Sequence, residues 1–298
     1  MKTANHSLKA WVNATRPWSF PASAMPVLVT CAYLFWKGES VDWLLGLLTL
    51  VNVVLFHASA NCWSDYKDFV NGVDREDTIG GVSITSGEFA PKEIKNLGIS
   101  LLVIAMLTGI ALMLLTGLPV LWFAMAGGIL LLVYPWLKYH AMGDIDIFLT
   151  YSLLPILGTS YVVTGEFNGS VLWLTLPVGL ITVGILHANN VRDIEHDKRA
   201  GIHTLAMLLG KKASVFLYCL YMVLPFLWVA ATAVLGVFPL WSLFVFVAIK
   251  PAIDNMKMAV RYPREGMKAM KGVDEKTAQL QLAFSLILTL SLVIPALL

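Results

Sequence analysis

Two stretches concentrate oxygen-bearing side chains at the ends of apolar runs. HASANCWSDYKDFVNGVDRED (57–77) closes one run, and LHANNVRDIEHDKRAG (186–201) closes another. In the first, Asn61 and Asp65 are four residues apart, and Asp65 and Asp68 three. In the second, the pairs Asn189–Asp193 and Asp193–Asp197 are each four apart. At 3.6 residues per turn, these spacings put each set on one helix face. Asp74 follows Gly72 and is expected in a loop.

A carboxylate forced into a membrane helix end costs up to about 2.5–3.5 kcal/mol. Like charges one turn apart also repel. A hard divalent cation relieves both, and Mg²⁺ prefers one or two carboxylates together with substrate phosphates. Lys67, Arg75, Arg192, Lys198 and Arg199 stand among the acids and suit phosphate oxygens that the metal leaves free. The patterns Asn61-x3-Asp65-x2-Asp68 and Asn190-x2-Asp193-x3-Asp197 read as two carboxylate arms closing on one diphosphate. The bland alternative is solvated charge at helix ends. It explains any single Asp here as well, but not a doubled pattern. His57, His187 and His203 lack a partnered spacing and are read as hydrogen-bonding residues near helix ends. Cys31, Cys62 and Cys219 form no CxxC and read as small interior residues.

The elements that must carry these arms follow from composition. Of 298 residues, 58% are hydrophobic and only 13% charged, with mean hydropathy +0.74. Soluble domains carry about 25% charged residues, so a soluble enzyme, a disordered chain and a disulfide scaffold are excluded. Nine apolar spans are predicted at about 20–36, 43–63, 97–116, 119–137, 145–164, 171–190, 214–235, 237–253 and 277–298. The segment before the first has no signal-peptide pattern, so that span is expected to be retained.

With nine spans, 20 of the 21 Lys and Arg residues fall on one side; Lys37 is the exception. The positive-inside rule then puts the N-terminus and both acidic clusters in the cytoplasm. An eight- or ten-span count scatters these charges. The predicted fold is all-α: a polytopic, multi-pass protein of the cell inner membrane, one domain over residues 1–298, with its site facing the cytoplasm.

The clusters resemble the two aspartate-rich motifs of the UbiA superfamily of intramembrane prenyltransferases. RPWSFPASAMPVLV (16–29), IGGVSITSGEF (79–89), LKYHAMGD (137–144) and above all NNVRDIEHDKRAGIHTLAMLLG (189–210) resemble its MenA-type branch, the 1,4-dihydroxy-2-naphthoate polyprenyltransferases. The resemblance implies nine helices around a central cavity. It implies Mg²⁺-dependent transfer of a polyprenyl chain from its diphosphate to an aromatic acceptor, in contact with membrane lipid and without nucleic acid.

Carried over, the metal and diphosphate ligands are Asn61, Asp65, Asp68, Asn190, Asp193 and Asp197. Phosphate or acceptor contacts are Arg16, Lys67, Arg75, Lys138, Arg192 and Lys198, with Tyr139 and Asp144 on the acceptor side. Tyr139 reads equally as an interfacial aromatic. The family pattern has Asn where this chain has Ser64. It also has Arg and a Gly-Leu pair where this chain has His140, Ala141 and Met142; the resemblance implies 1,4-dihydroxy-2-naphthoate as acceptor, in menaquinone biosynthesis, with 4-hydroxybenzoate, a tetrapyrrole and glycerol phosphate as alternatives. A divalent-cation transporter is the competing class; its acids belong near mid-membrane, whereas these gather at one end.

Overall fold

The computed structural model describes residues 6–72, 82–199, 201 and 203–298, and among them it contains helices and no strand. A short helix α1 (Leu8–Ala14) and a 3₁₀ turn (Pro17–Ser19) lead into α2 (Pro21–Trp36). Then come α3 (Trp43–Val70), α4 (Val82–Thr85), α5 (Pro91–Thr116) and α6 (Pro119–Tyr139). Next, α7 (Gly143–Phe148) passes through one π-helical turn (Leu149–Leu153) into α8 (Leu154–Thr164). A 3₁₀ segment (Gly169–Leu174) opens α9 (Thr175–Arg192), which is followed by α10 (Ile194–Arg199) and α11 (Leu205–Val234). The chain closes with α12 (Ile249–Glu265), α13 (Met267–Met270) and α14 (Val273–Leu297).

Seven stretches among the described residues are long and apolar enough to cross a membrane, and α6 carries a shorter apolar stretch, Pro119–Tyr134. The predicted span at 237–253 takes a different form. It is a 3₁₀ segment, Leu240–Ala248, running directly into α12. Runs of 3₁₀ helix longer than three or four residues are uncommon. At about 2 Å per residue it covers more height than an α-helix of equal length. Its neighbours mark the height spanned: Phe238 stacks edge-on against Tyr33 at 5.7 Å, and Tyr262 on α12 lies under Lys211 at 5.8 Å.

The core and the surface invert the soluble pattern. Tyr33, Tyr218, Phe226 and Phe284 are fully buried, as are the polar Gln281, Ser285 and Thr277. Leu114, Trp122 and Leu132 are about 70% exposed or more. An outer face of this kind is what lipid solvates.

Two sets of contacts define the ends of the bundle. At one end, Asp42 N–H donates to Val163 O (2.9 Å), Tyr161 Oη to Thr116 O (2.8 Å) and Asn168 Nδ2 to Glu39 Oε1 (2.8 Å). At the other, Arg16 meets Asp65, His6 meets Glu93 (3.4 Å), Lys211 meets Glu195 (2.8 Å) and Arg192 meets Asp274 (2.8 Å). The charged end gathers the N-terminal segment with the ends of α3, α9 and α10 and the starts of α5, α11 and α14. These are the segments that the charge count assigns to one side. Close approach of α9 to the α7–α8 unit depends on Gly179: a Cβ there would lie 2.7 Å from the Phe148 ring.

Candidate active site

The first acidic cluster sits on an unbroken helix. α3 runs past the predicted end of its span to Val70, so Asn61, Ser64, Asp65 and Asp68 share a rigid rod. Asp65 is 2% exposed, and Arg16 is its salt-bridge partner. Arg16 reaches it from a left-handed backbone conformation (φ 56°), uncommon for a residue with a Cβ. Ser19 Oγ fixes that turn by donating to Arg16 O (2.8 Å). Asn61 spends both N–H donors on this turn, on Thr15 O (2.9 Å) and Ser19 Oγ (3.0 Å). Its carbonyl oxygen is therefore the atom left to ligate a cation. Ser64 Oγ donates to Asp68 Oδ2 at 3.3 Å. Lys67 turns away, over the Trp63 ring at 5.0 Å.

The second cluster is broken where the first is continuous. α9 ends at Arg192, and Asp193 leaves helical geometry (φ −95°, ψ 7°). Asp197 belongs to α10, tied back by its N–H to Asp193 O (2.8 Å). The single helix face expected for Asn189, Asp193 and Asp197 is thus split between the end of α9 and the short α10, with a backbone bond preserving the one-turn separation. Arg192 is 7% exposed and forks onto both oxygens of Asp193, with Nε and Nη2 each at 2.8 Å. Its Nη1 donates to Asp274 Oδ2 at the start of α14 (2.8 Å). Asn190 is buried and Lys198 exposed. Burial pushes the Asp197 carboxyl up to about 6, against the opposing pull of Lys138.

The last turn of α6 lies within electrostatic reach of both clusters: Tyr139 is in the field of Asp68 and of Asp197. Lys138 acts on Asp197. Among the described residues, no three His, Cys, Asp or Glu side chains stand close enough to hold a metal unaided. The donors are nevertheless the hard oxygens that Mg²⁺ takes, with phosphate completing its shell. Arg75 and Asp74 lie outside the described residues.

Three further residues matter here that the sequence reading did not single out. Asp274 anchors Arg192 from 82 positions away. Tyr134, one turn before Lys138, lies in the field of Asp68, Asp144, Asp146 and Arg16. Asp146 is 3% exposed. The i,i+4 spacing of Tyr134 and Lys138, and the Asp-x-Asp opening an apolar run, were the available signals. The histidines make hydrogen bonds: His57 to Ser19 (3.3 Å) and Ser23 (3.0 Å), His187 to Asp144 (2.7 Å) and Ser214 O (3.0 Å). His203 pairs by a backbone bridge with His140.

Beside the first cluster lies a cavity of about 520 Å³ bordered by α2, α3, α5, α6 and α8. Its walls are mostly apolar, and His57 is one of the few polar residues on them. His57 stands one helical turn from Asn61, and both bond Ser19. A charged oxygen cluster therefore abuts a chamber suited to hydrocarbon, which is what an amphiphile with an anionic head requires.

The sequence pattern of the UbiA prenyltransferase family matches residues 23–271. The chain is 32% identical over 229 residues to UbiA prenyltransferase domain-containing protein 1 of Xenopus tropicalis, covering 73% of this chain and 64% of that protein. It thus spans slightly less than two thirds of that relative. It is 29% identical over 311 residues to 1,4-dihydroxy-2-naphthoate octaprenyltransferase of Haemophilus influenzae, covering 98% of each chain. A UbiA homolog from Archaeoglobus fulgidus, solved bound to GPP and Mg²⁺, shares the fold at TM-score 0.61 and 14% identity, over 94% of this chain and 99% of that one. Paired oxygen clusters, an adjoining apolar chamber, helices long and apolar enough to cross a membrane and a family match across most of the chain converge: this protein belongs to the UbiA prenyltransferase family.

Proposed function

We propose that this protein transfers a polyprenyl group from its diphosphate to 1,4-dihydroxy-2-naphthoate, at the cytoplasmic face of the inner membrane. The observation that carries this reading is the apolar cavity beside the first of two oxygen-rich clusters, both within electrostatic reach of the end of α6. The end-to-end match with the Haemophilus influenzae naphthoate octaprenyltransferase supports the choice of acceptor. Asn61, Asp65, Asp68, Asn190, Asp193 and Asp197 would hold Mg²⁺. Bound there, the metal neutralises charge on the departing diphosphate.

The chain's own groups do the rest. Arg16 and Arg192 fix their carboxylates and offer further N–H donors to phosphate oxygens, with Lys67, Arg75 and Lys198 as further candidate phosphate contacts. The C–O bond breaks with its electron pair going to diphosphate, leaving an allylic cation. The apolar chamber keeps water from that cation and holds the tail. The ring carbon forms the new C–C bond, and a proton or the carboxyl group, as CO₂, is lost. Lys138 faces the acceptor's carboxylate, and Tyr139 lines its approach.

The bundle is read as one domain of nine crossings with the N-terminus inside. Single cysteines replacing Phe69 and Glu166 should label from opposite faces, and labelling from one face would sink that orientation. The test of function is competition: 1,4-dihydroxy-2-naphthoate against 4-hydroxybenzoate at equal concentration with one prenyl donor. Prenylated naphthoate is expected; prenylated benzoate alone overturns the assignment.

A further inference from the structure

The start of α7 carries two buried carboxylates that the reaction scheme above leaves without a task, Asp144 and Asp146, 4% and 3% exposed. Asp144 is braced from two other helices. Its Oδ2 meets His187 Nδ1 on α9 (2.7 Å) and accepts from Tyr221 Oη on α11 (3.1 Å). The second ring nitrogen of His187 faces Ser214 O at 3.0 Å. A carbonyl only accepts, so that nitrogen carries a proton and the ring is locked at both ends. The backbone that presents Asp146, two residues on, is therefore held rigidly.

Asp146 itself has an enclosed oxygen, Oδ1, with no hydrogen-bond partner among the described residues. Thr150 Oγ1, four residues later, is enclosed and unpartnered in the same way. Spacing of four places both near one face, and the π-helical turn at Leu149–Leu153 widens that face. Thr150 and Tyr151 line the 520 Å³ cavity. Asp146 acts electrostatically on Tyr151 and on Tyr134, and Tyr134 also feels Asp68 and Arg16. Asp146 thus stands behind the chamber wall formed by Thr150 and Tyr151, within electrostatic reach of Tyr134, which the first acidic cluster also reaches.

A buried acceptor without a donor is costly and calls for an explanation. Among the described residues no third His, Cys, Asp or Glu joins Asp144 and Asp146 to hold a structural metal. An anion does not fit either, because Asp144 and Asp146 repel it. A neutral O–H donor fits both the charge and the place.

We propose that Asp146, with Thr150 beside it, binds a ring hydroxyl of the aromatic acceptor and so orients the ring against the allylic carbon. This rests on the reading of the protein as an aromatic prenyltransferase. A phenolic O–H donating to a carboxylate makes the ring more electron-rich, which favours attack on a cation. It also sets the ring's direction: hydroxyl toward Asp146, carboxylate toward Lys138, away from the buried acids.

The test uses the purified full chain with Mg²⁺, a prenyl diphosphate, and 1,4-dihydroxy-2-naphthoate or either of its mono-O-methyl ethers. Asp146→Asn keeps the shape, and Asp146→Leu removes all hydrogen bonding while remaining at home in an apolar wall. Thermal unfolding in detergent selects the folded variant. In it, KM for the acceptor should rise at least about tenfold, the scale of a lost hydrogen bond to a charged group, while KM for the donor stays within about twofold. One methyl ether should suffer a similar loss with the native chain and little further loss with the variant. An unchanged acceptor KM, or equal rises in both KM values, overturns the proposal. Native protein that prenylates the naphthoate while Asp146→Asn matches it sinks this inference alone; native protein that prenylates no aromatic acceptor sinks both.

Discussion

The two acidic clusters have nearly the same residues and opposite mechanics. Asn61, Asp65 and Asp68 ride on 28 residues of continuous helix, and their cation, Arg16, comes from a separate turn of chain. Asn190, Asp193 and Asp197 straddle a helix end, and their cation, Arg192, is the adjacent residue. The first arm is stiff and borrows its counter-charge. The second carries its own counter-charge and is anchored through Asp274 to the last helix. Both solve one problem: carboxylates near lipid need compensation before any metal arrives.

If the arms act together on one diphosphate, neither can substitute for the other. Asp68→Asn and Asp193→Asn should each lower turnover at least about a hundredfold, the scale of losing a principal electrostatic stabiliser. Initial rates at saturating Mg²⁺ measure this. Near-normal rates in either variant would reduce that arm to a structural role.

The arginines sharpen the contrast through stability. Arg192 is buried and makes three 2.8 Å bonds to two carboxylates. Arg192→Ala takes the cation from Asp193 and Asp274, whose side chains are 32% and 17% exposed, so solvent screens both and the loss should stay near about 1–3 kcal/mol. Arg16→Ala takes the cation from Asp65, which is only 2% exposed, and should cost more. Thermal unfolding in detergent compares them, and equal losses would erase the distinction.

Much of this was legible in the sequence because lipid imposes a simple code. Apolar runs, one-sided Lys and Arg, and acids clustered at run ends are local features. The extents of the helices were less legible. α3 continues to Val70 and α5 begins at Pro91, beyond the apolar cores at 43–63 and 97–116. The bilayer limits how long a helix is hydrophobic, not how long it is helical. The break at Asp193 was hidden because its i,i+4 spacing suits an unbroken helix equally well. The 3₁₀ form of Leu240–Ala248 has no compositional mark, since any apolar stretch serves. Pairings across long separations, Arg192 with Asp274 and Asp144 with His187, are tertiary facts that no spacing encodes.

The broken arm should also be the pH-sensitive one. Burial pushes the Asp197 carboxyl up to about 6, so it is ionised above that pH and protonated below. Metal ligation needs the ionised form. Affinity for Mg²⁺ with prenyl diphosphate should therefore level off about one unit above pH 6 and fall as pH drops through it, by up to about tenfold per unit for one proton. Calorimetric titration across this range tests the slope. Asp197→Asn should bind more weakly and lose that step; persistence of the step would move it to another group.

The smallest expected effect concerns Ser64, which stands on the stiff arm where the family pattern has Asn. Its hydroxyl donates to Asp68 Oδ2 at 3.3 Å, a long contact for an O–H donor. Such a bond orients a carboxylate without holding it, and its net worth sits near the lower end of about 0.5–1.5 kcal/mol. Ser64→Ala should then raise the Mg²⁺ concentration for half-maximal rate only about two- to fourfold, with maximal rate preserved. Ser64→Asn adds an amide that can donate to Asp68 and present a second oxygen to a cation, the role proposed for Asn61 one turn earlier. It should match or lower the Mg²⁺ requirement of the native chain. A Ser64→Ala loss as large as that of Asp68→Asn would mean that the hydroxyl itself ligates the cation, making the stiff arm richer in ligands than its carboxylates imply.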